Sequence, residues 1–430
     1  MITRLLEAAR PRAAAADAVL KTDETISGVV TAQGGERMGH LSSIQQHLRV
    51  AANGRIGMAG RADLNTDALL AAALASAEVG GEGVLLLPAP APTVDVTTAH
   101  PVAQAAGPTQ VLELARLLSS RLDGKGRMVE AWAERSVGRV EAGNTRGALV
   151  SYEASLVGMG ATLAVGDPSS PLTLSLHHAG VAWPSGRDVE ALVVEFERRL
   201  SPAYAEPPTG PLTPVRLCLA PRAVRALLRP LELALIGAEV FEGRSPFAGR
   251  QGEQVLPGAI SLVDDPLLPG RPGSRPADDD CVVSRKLTLV DQGRFVGWVT
   301  DLATGSRLDL PSTGHARRLA FAPPRVGYTN LVVSPGDATD RDLLGGDEVV
   351  LIEDLPPAPG NVMDGRVAFT TPWAYRVVRG EIVGRYPRIT LRGNLYQMLE
   401  RLAAVGREAV WLGAWCGPSL LLDGVSVIHH

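Results

Sequence analysis

Hydrophobic and polar residues alternate along Met128 to Glu141 and again along Ala148 to Val165, with Gly143-Asn144-Thr145-Arg146-Gly147 between the two stretches. A two-residue period interrupted by a polar, glycine-flanked turn predicts a long antiparallel hairpin. Shorter strand patterns cover Thr25 to Ala32 and His47 to Ala52, and Asn53-Gly54 supplies a hairpin turn directly after the second. The Ala-rich run Leu5 to Leu20 reads as a helix despite Pro11. Another helix runs from an N-cap at Asn65 or Thr66 to about Val79, where Gly80-Gly81 stops it. Further on, a helix is expected from about Thr109 to Leu122 and a strand from Leu172 to Trp183. Asp188 then caps a helix to Leu200, with Val193, Val194, Phe196 and Leu200 spaced for one buried face.

Two proline-rich stretches interrupt these patterns, Pro88 to Pro108 and Pro202 to Pro214, and both read as linkers. Beyond the second, Val215 to Leu219 is a short apolar strand, and Pro221 opens a helix that must break near Pro230, because proline lacks the helical donor. Most of the remainder is strand-like: Ile260 to Val263, Val282 to Val290, Arg294 to Thr300, Tyr328 to Val333, Glu348 to Glu353, Arg366 to Val378 and Glu381 to Tyr386. Leu395 to Val405 reads as a helix. The expected fold class is therefore α+β, with strand–helix units and a long hairpin first and a mostly antiparallel β domain after them. The predicted modules are residues 1–90, 91–210 and 211–430.

Composition narrows the function classes. The 430 residues are 45% hydrophobic and 20% charged, an ordinary balance for packed domains, and the formal charge is −4. No Lys/Arg-rich stripe appears, which argues against a nucleic-acid partner held by phosphate neutralisation. Cys218, Cys281 and Cys416 are far apart and odd in number, so neither a disulfide framework nor a four-thiolate metal site is indicated. Arg4, Glu7, Arg10, Arg12 and Asp17 interrupt the stretch where a signal peptide needs an apolar core. No apolar run reaches the roughly 18 to 20 residues needed to span a bilayer. A cytoplasmic protein without a membrane partner is the expectation.

Few residues invite chemistry. His315 could work as an acid or base near neutral pH, although no orienting partner is visible in the sequence. Arg317 and Arg318 follow it in a glycine-bearing loop that could hold a peptide carboxylate bidentately, or could be a structural turn. Asp264-Asp265-Pro266 and Asp278-Asp279-Asp280 could bind a cation or end strands as turns. Neither GxGxxG nor GxxxxGK[ST] nor GxSxG occurs, so nucleotide and lipase-type chemistry are disfavoured.

Six phrases then follow one another in order: GRSPFAGRQGE (Gly243 to Glu253), LVDDP (Leu262 to Pro266), STGHARR (Ser312 to Arg318), YTNLVVSPG (Tyr328 to Gly336), RGNL (Arg392 to Leu395) and GPSLLLDGVSV (Gly417 to Val427). Together they resemble the C-terminal half of the TldD/PmbA family, whose paired subunits form a zinc metallopeptidase. The phrase RVAANGRIGMAG, with the helix after it, is similar to the family's opening module. In the catalytic subunit an HExxxH helix follows the strand corresponding to Val215 to Leu219; here that place reads PRAVRALLRPLELAL, without His or Cys. The resemblance is thus to the PmbA (TldE) branch. It implies a subunit that binds no metal and no cofactor, pairs with a TldD-like partner or as a homodimer, and helps present a peptide or amino-acid-derived ligand. It also adds Asp264 and Tyr375 to His315 as catalytic candidates, and Arg244 and Asn394 to Arg317 and Arg318 as substrate-binding candidates. Cys416 lies near the region where the catalytic subunit offers a thiolate, but AWCGPS does not align with it, and a buried inert thiol is expected. The alternative is a zinc-independent enzyme on the same scaffold, acting on an amino-acid or peptide intermediate in natural-product biosynthesis by hydrolysis, elimination or ring closure.

Overall fold

A computed structural model describes residues 1–166, 172–208, 215–357 and 363–429. Pro211 and Pro214 of the second predicted linker lie outside the described residues.

The first helix is short. α1 (Ile2–Ala9) buries Ile2, Leu5, Leu6 and Ala9 on one stripe and ends before Pro11. The expected continuation to Leu20 is instead the first half of β1 (Ala15–Thr31), which pairs on both sides. Alanine's helical preference is a few tenths of a kcal/mol per residue, less than two ladders of hydrogen bonds and a buried face provide. β2 (Glu36–Ala52) and β3 (Arg55–Arg61) follow, joined by Asn53 and Gly54 at φ 52° and 72°, the left-handed pair that a tight hairpin turn demands. α2 (Thr66–Glu78) rests on β3 where Gly57 leaves room, since a Cβ there would stand 2.1 Å from the Ala73 carbonyl oxygen. Asn65 caps α2 by accepting from the Ala68 N–H at 3.0 Å.

The stretch expected to be a linker contains α3 (Pro101–Ala105), and α4 (Pro108–Arg121) follows. β4 (Arg127–Asn144) and β5 (Leu149–Val165) form the long hairpin, and β6 (Leu172–Gly180) completes an antiparallel sheet of order β3-β2-β1-β4-β5-β6. Residues 1–90 and 91–210 thus contribute three strands each to one sheet. α5 (Gly186–Leu200) is capped by Ser185, and Asp188 returns the bond to the Ser185 N–H at 2.7 Å. Its buried stripe is Val189, Leu192, Val193, Phe196 and Leu200; Val194, expected among them, is exposed.

The C-terminal half begins with β7 (Val215–Leu219), α6 (Pro221–Leu227), α7 (Arg229–Ala234) and α8 (Gly237–Phe241), the helix breaking at Leu228 beside Pro230. Then come β8 (Leu262–Asp264), β9 (Leu287–Asp291), β10 (Arg294–Phe295), α9 (Leu302–Arg307), β11 (Ala316–Leu319), β12 (Ala322–Val326), β13 (Leu331–Val333) and α10 (Asp340–Leu344). β14 (Val349–Ile352), β15 (Arg366–Thr371), β16 (Ala374–Val378), β17 (Glu381–Tyr386), β18 (Ile389–Asn394) and α11 (Leu395–Leu399) follow. The last strands are β19 (Leu402–Leu412), β20 (Trp415–Val425) and β21 (Val427–His429). The large sheet runs β10-β9-β8-β13-β20-β7-β14-β16-β17, with β19 against β20; β13–β20 and β7–β14 pair in parallel. β15, β18 and β21 form a smaller sheet, and β11 and β12 a separate hairpin.

Several strand expectations shorten here. Residues 282–286 are not strand, because the Asp280 and Val282 N–H groups coil around the Asp278 carboxylate at 2.9 and 2.8 Å. Arg294 to Thr300 reduces to β10. Arg366 to Val378 divides at Pro372, which cannot donate to a ladder. The helix expected over Leu395 to Val405 stops at Leu399, and the chain turns into β19 to pair with β20. The core of this half gathers Leu217 and Leu219 of β7, Val224, Leu227 and Leu231 of α6 and α7, Val350 and Ile352 of β14, and Leu420 and Leu422 of β20, all fully buried. That packing fixes one face of α6–α7 against the sheet and leaves the opposite face toward solvent.

Candidate functional site

Of the residues singled out in the sequence, the structure joins His315 and Asp264. His315 Nε2 lies 2.8 Å from Asp264 Oδ2, while Nδ1 lies 2.8 Å from Thr313 Oγ1 and 3.0 Å from its carbonyl oxygen. Asp264 also accepts the Thr329 N–H and hydroxyl. Both side chains are 0% exposed, so no substrate atom reaches them. The pair clasps β8, β11 and β13 together; a catalytic role for either is not what this placement offers.

The other candidates are scattered. Tyr375 on β16 is fully buried, and burial raises its pKa far above the ordinary value. Arg318 is 1% exposed and consumed by Asp17 and Asp280. It cannot take a peptide carboxylate without first releasing those two. Arg317 donates to the Tyr328 carbonyl oxygen at 3.0 Å; the Arg275 charge and burial lower it to about 10. Exposed Arg244 pairs with Glu239 and Glu242, and Asn394 caps α11 by accepting the Tyr396 N–H at 3.0 Å. These positions do not converge on a shared space.

A cleft of about 690 Å³ does open on the solvent face of α6–α7. Arg222, Arg225, Arg229 and Glu232 line it from the helices, Asp354 and Leu355 close it from the loop after β14, and Thr371 at the end of β15, Trp373 just beyond it and Leu412 at the end of β19 complete the wall. Spacings of three, four and three residues place the four helical side chains along one stripe, across the break at Leu228. This spacing was legible in PRAVRALLRPLELAL but carried no motif. α5 supports the rim: Arg198 meets Glu353 at 2.7 Å and Arg199 at 3.0 Å, which ties the helix to the end of β14. His177 on β6 stands close by, its pKa lowered by burial and then by the Arg222 and Arg225 charges. Burial raises Glu232, which Arg229 approaches at 3.0 Å, and burial likewise raises Asp354.

The face that lines this cleft is where the family resemblance puts a zinc-binding helix. The residues present do not fit zinc: the metal needs neutral nitrogen, thiolate or carboxylate donors, and three guanidinium groups repel a dication. Among the described residues no three of His, Cys, Asp and Glu stand together in a way that could hold a metal ion. Cys416 is buried on β20, and burial raises its thiol pKa, so it is not poised as a thiolate ligand.

Comparison with known proteins agrees with this architecture. The model of the PmbA/TldA metallopeptidase C-terminal domain matches residues 213–429. A metalloprotease from Methanothermobacter thermautotrophicus is 28% identical over 189 residues, covering 42% of this chain and 40% of the relative. A metalloprotease PmbA homolog from Haemophilus influenzae is 26% identical over 199 residues, 45% of this chain and 41% of the relative. The alignments thus span less than half the length of these curated relatives. The crystal structure of TldE from Thermococcus kodakarensis superposes with a TM-score of 0.88 at 21% identity, covering 99% of both chains, which establishes the shared fold.

Proposed function

This chain belongs to the PmbA/TldD metallopeptidase family, and from that membership we propose that it is the subunit that does not bind the metal, working with a TldD-like partner that supplies the hydrolytic chemistry. The observation that carries the proposal is the composition of the α6–α7 face. Where zinc ligands would project, Arg222, Arg225 and Arg229 project instead, so attack on a peptide bond is left to the partner.

What this chain contributes is then binding and orientation. Among the described residues β6 is the last strand of its sheet, with one side of its backbone not used in the ladder, and the Arg222 and Arg225 charges reach its His177. An extended peptide could add to such an edge through main-chain hydrogen bonds, which hold many sequences alike. No bound cofactor of its own is required for this role.

Co-expression of the full chain with a TldD-like protein from the same host tests the proposal. The expected result is a stable hetero-oligomer whose peptidase activity needs both chains and disappears when the partner's metal-binding histidines are replaced. Turnover of a peptide or amino-acid-derived intermediate by this chain alone would instead favour the zinc-independent biosynthetic reading.

A further inference from the structure

Several of the charged groups around the α6–α7 cleft are paired. Arg198 and Arg199 pair with Glu195 and Glu353, Arg225 donates to the Leu412 carbonyl oxygen at 3.0 Å, and Arg229 reaches Glu232 at 3.0 Å. Arg222 is half-buried on the cleft wall and has no hydrogen-bond or ion-pair partner among the described residues. Desolvation lowers its pKa, and the Arg199 charge adds to this, so its guanidinium is held at a cost that an incoming anion would relieve.

We propose that this cleft binds the C-terminal carboxylate of a peptide, with Arg222 as its bidentate anchor and Leu355, Trp373 and Leu412 packing against an apolar last side chain. The planar fork of arginine matches a carboxylate in geometry as well as charge. A phosphate is the poorer fit, since Glu232 and Asp354 share the cleft and repel a second negative charge, whereas one carboxylate needs only the Arg222 guanidinium. The assignment rests on the peptide-holding role proposed above and adds the end of the peptide that is recognised.

The test is calorimetric titration of the full chain with N-acetyl-Ala-Leu as the free acid and as its C-terminal amide. The acid should bind at least tenfold more tightly than the amide. Arg222→Ala should remove that preference, Arg222→Lys should keep part of it, and inorganic phosphate at equal concentration should not displace the acid. A thermal melt of each variant confirms folding, and if Arg222→Ala fails to fold the acid-against-amide comparison on the native chain still decides. Equal binding of the two probes, binding of neither, retention of the preference in Arg222→Ala, or displacement by phosphate overturns the proposal. These outcomes are independent of co-purification with a TldD-like chain, so failure here and failure of the subunit assignment are told apart.

Discussion

Arg318 and Asp17, far apart in sequence, form a two-pronged ion pair with Nη1–Oδ1 at 2.7 Å and Nη2–Oδ2 at 2.8 Å. The pair fastens β1 of the N-terminal sheet to the β11 hairpin of the C-terminal half. Arg49 reinforces it, meeting Asp17 at 2.6 Å and Asp280 at 3.0 Å, and Lys21 reaches Asp279 at 2.6 Å alongside. Buried carboxylates and guanidinium groups in such a seam specify how the two halves dock more than they add net stability.

Breaking that seam from one side should be costly. Arg318→Ala leaves Asp17 and Asp280 buried with Arg49 as their remaining cation, and uncompensated buried charge costs about 3–5 kcal/mol. Urea denaturation is the measurement. A loss no larger than the ~1 kcal/mol typical of a surface pair would mean the seam is open to water.

His47 gives the seam a pH signature. Burial and the Arg318 charge lower its pKa from 6.5 to about 4, so the native state holds it neutral. A histidine depressed on folding stabilises fully above the unfolded value and loses that contribution as pH falls from 6.5 toward 4, because the unfolded chain takes up the proton first. His47→Gln should therefore flatten the fall in stability across that window. An unchanged slope in pH-dependent denaturation would contradict this.

Opposite in character, Arg222 should be nearly dispensable for folding. Arg222→Ala is expected to change stability by no more than about 0.5 kcal/mol, since no partner is orphaned. It should also raise the His177 pKa toward its ordinary value, though not fully, because burial is the larger cause. Histidine NMR titration reads this directly, and an unmoved His177 would separate the two residues electrostatically.

Asn394, a binding candidate from sequence, is expected to behave as a helix cap. Asn394→Ala should cost about 1 kcal/mol of stability and leave ligand binding unchanged. Acid-probe titration beside a thermal melt distinguishes the two roles.

The long β4–β5 hairpin and the Asn53-Gly54 turn were legible because local chemistry alone fixes them: alternation over many residues and a residue pair suited to left-handed backbone. Pro230 likewise announced the helix break. The first half of β1 and the start of β19 were not legible, because Ala-rich segments such as Ala13 to Ala16 and Leu402 to Val405 read as helix until a distant strand pairs with them, whereas Thr25 to Ala32, in the second half of β1, did read as strand. The Asp278-Asp279-Asp280 cluster read as a cation site or a strand-ending turn, and the side chains that pair with it, Lys21, Arg49 and Arg318, lie far away in the chain. At the cleft the sequence disclosed what was missing, histidine and cysteine, but not what replaced it. The convergence of Arg222, Arg225 and Arg229 with Asp354 and Trp373 depends on strand order and on how α5 ties to Glu353.

Metal analysis of the full chain, purified alone in the presence of excess zinc and then desalted, tests the central claim most directly. Zinc far below stoichiometry is expected on this chain. One tightly held zinc per chain would contradict it, because the α6–α7 face would then be a metal site despite its arginines.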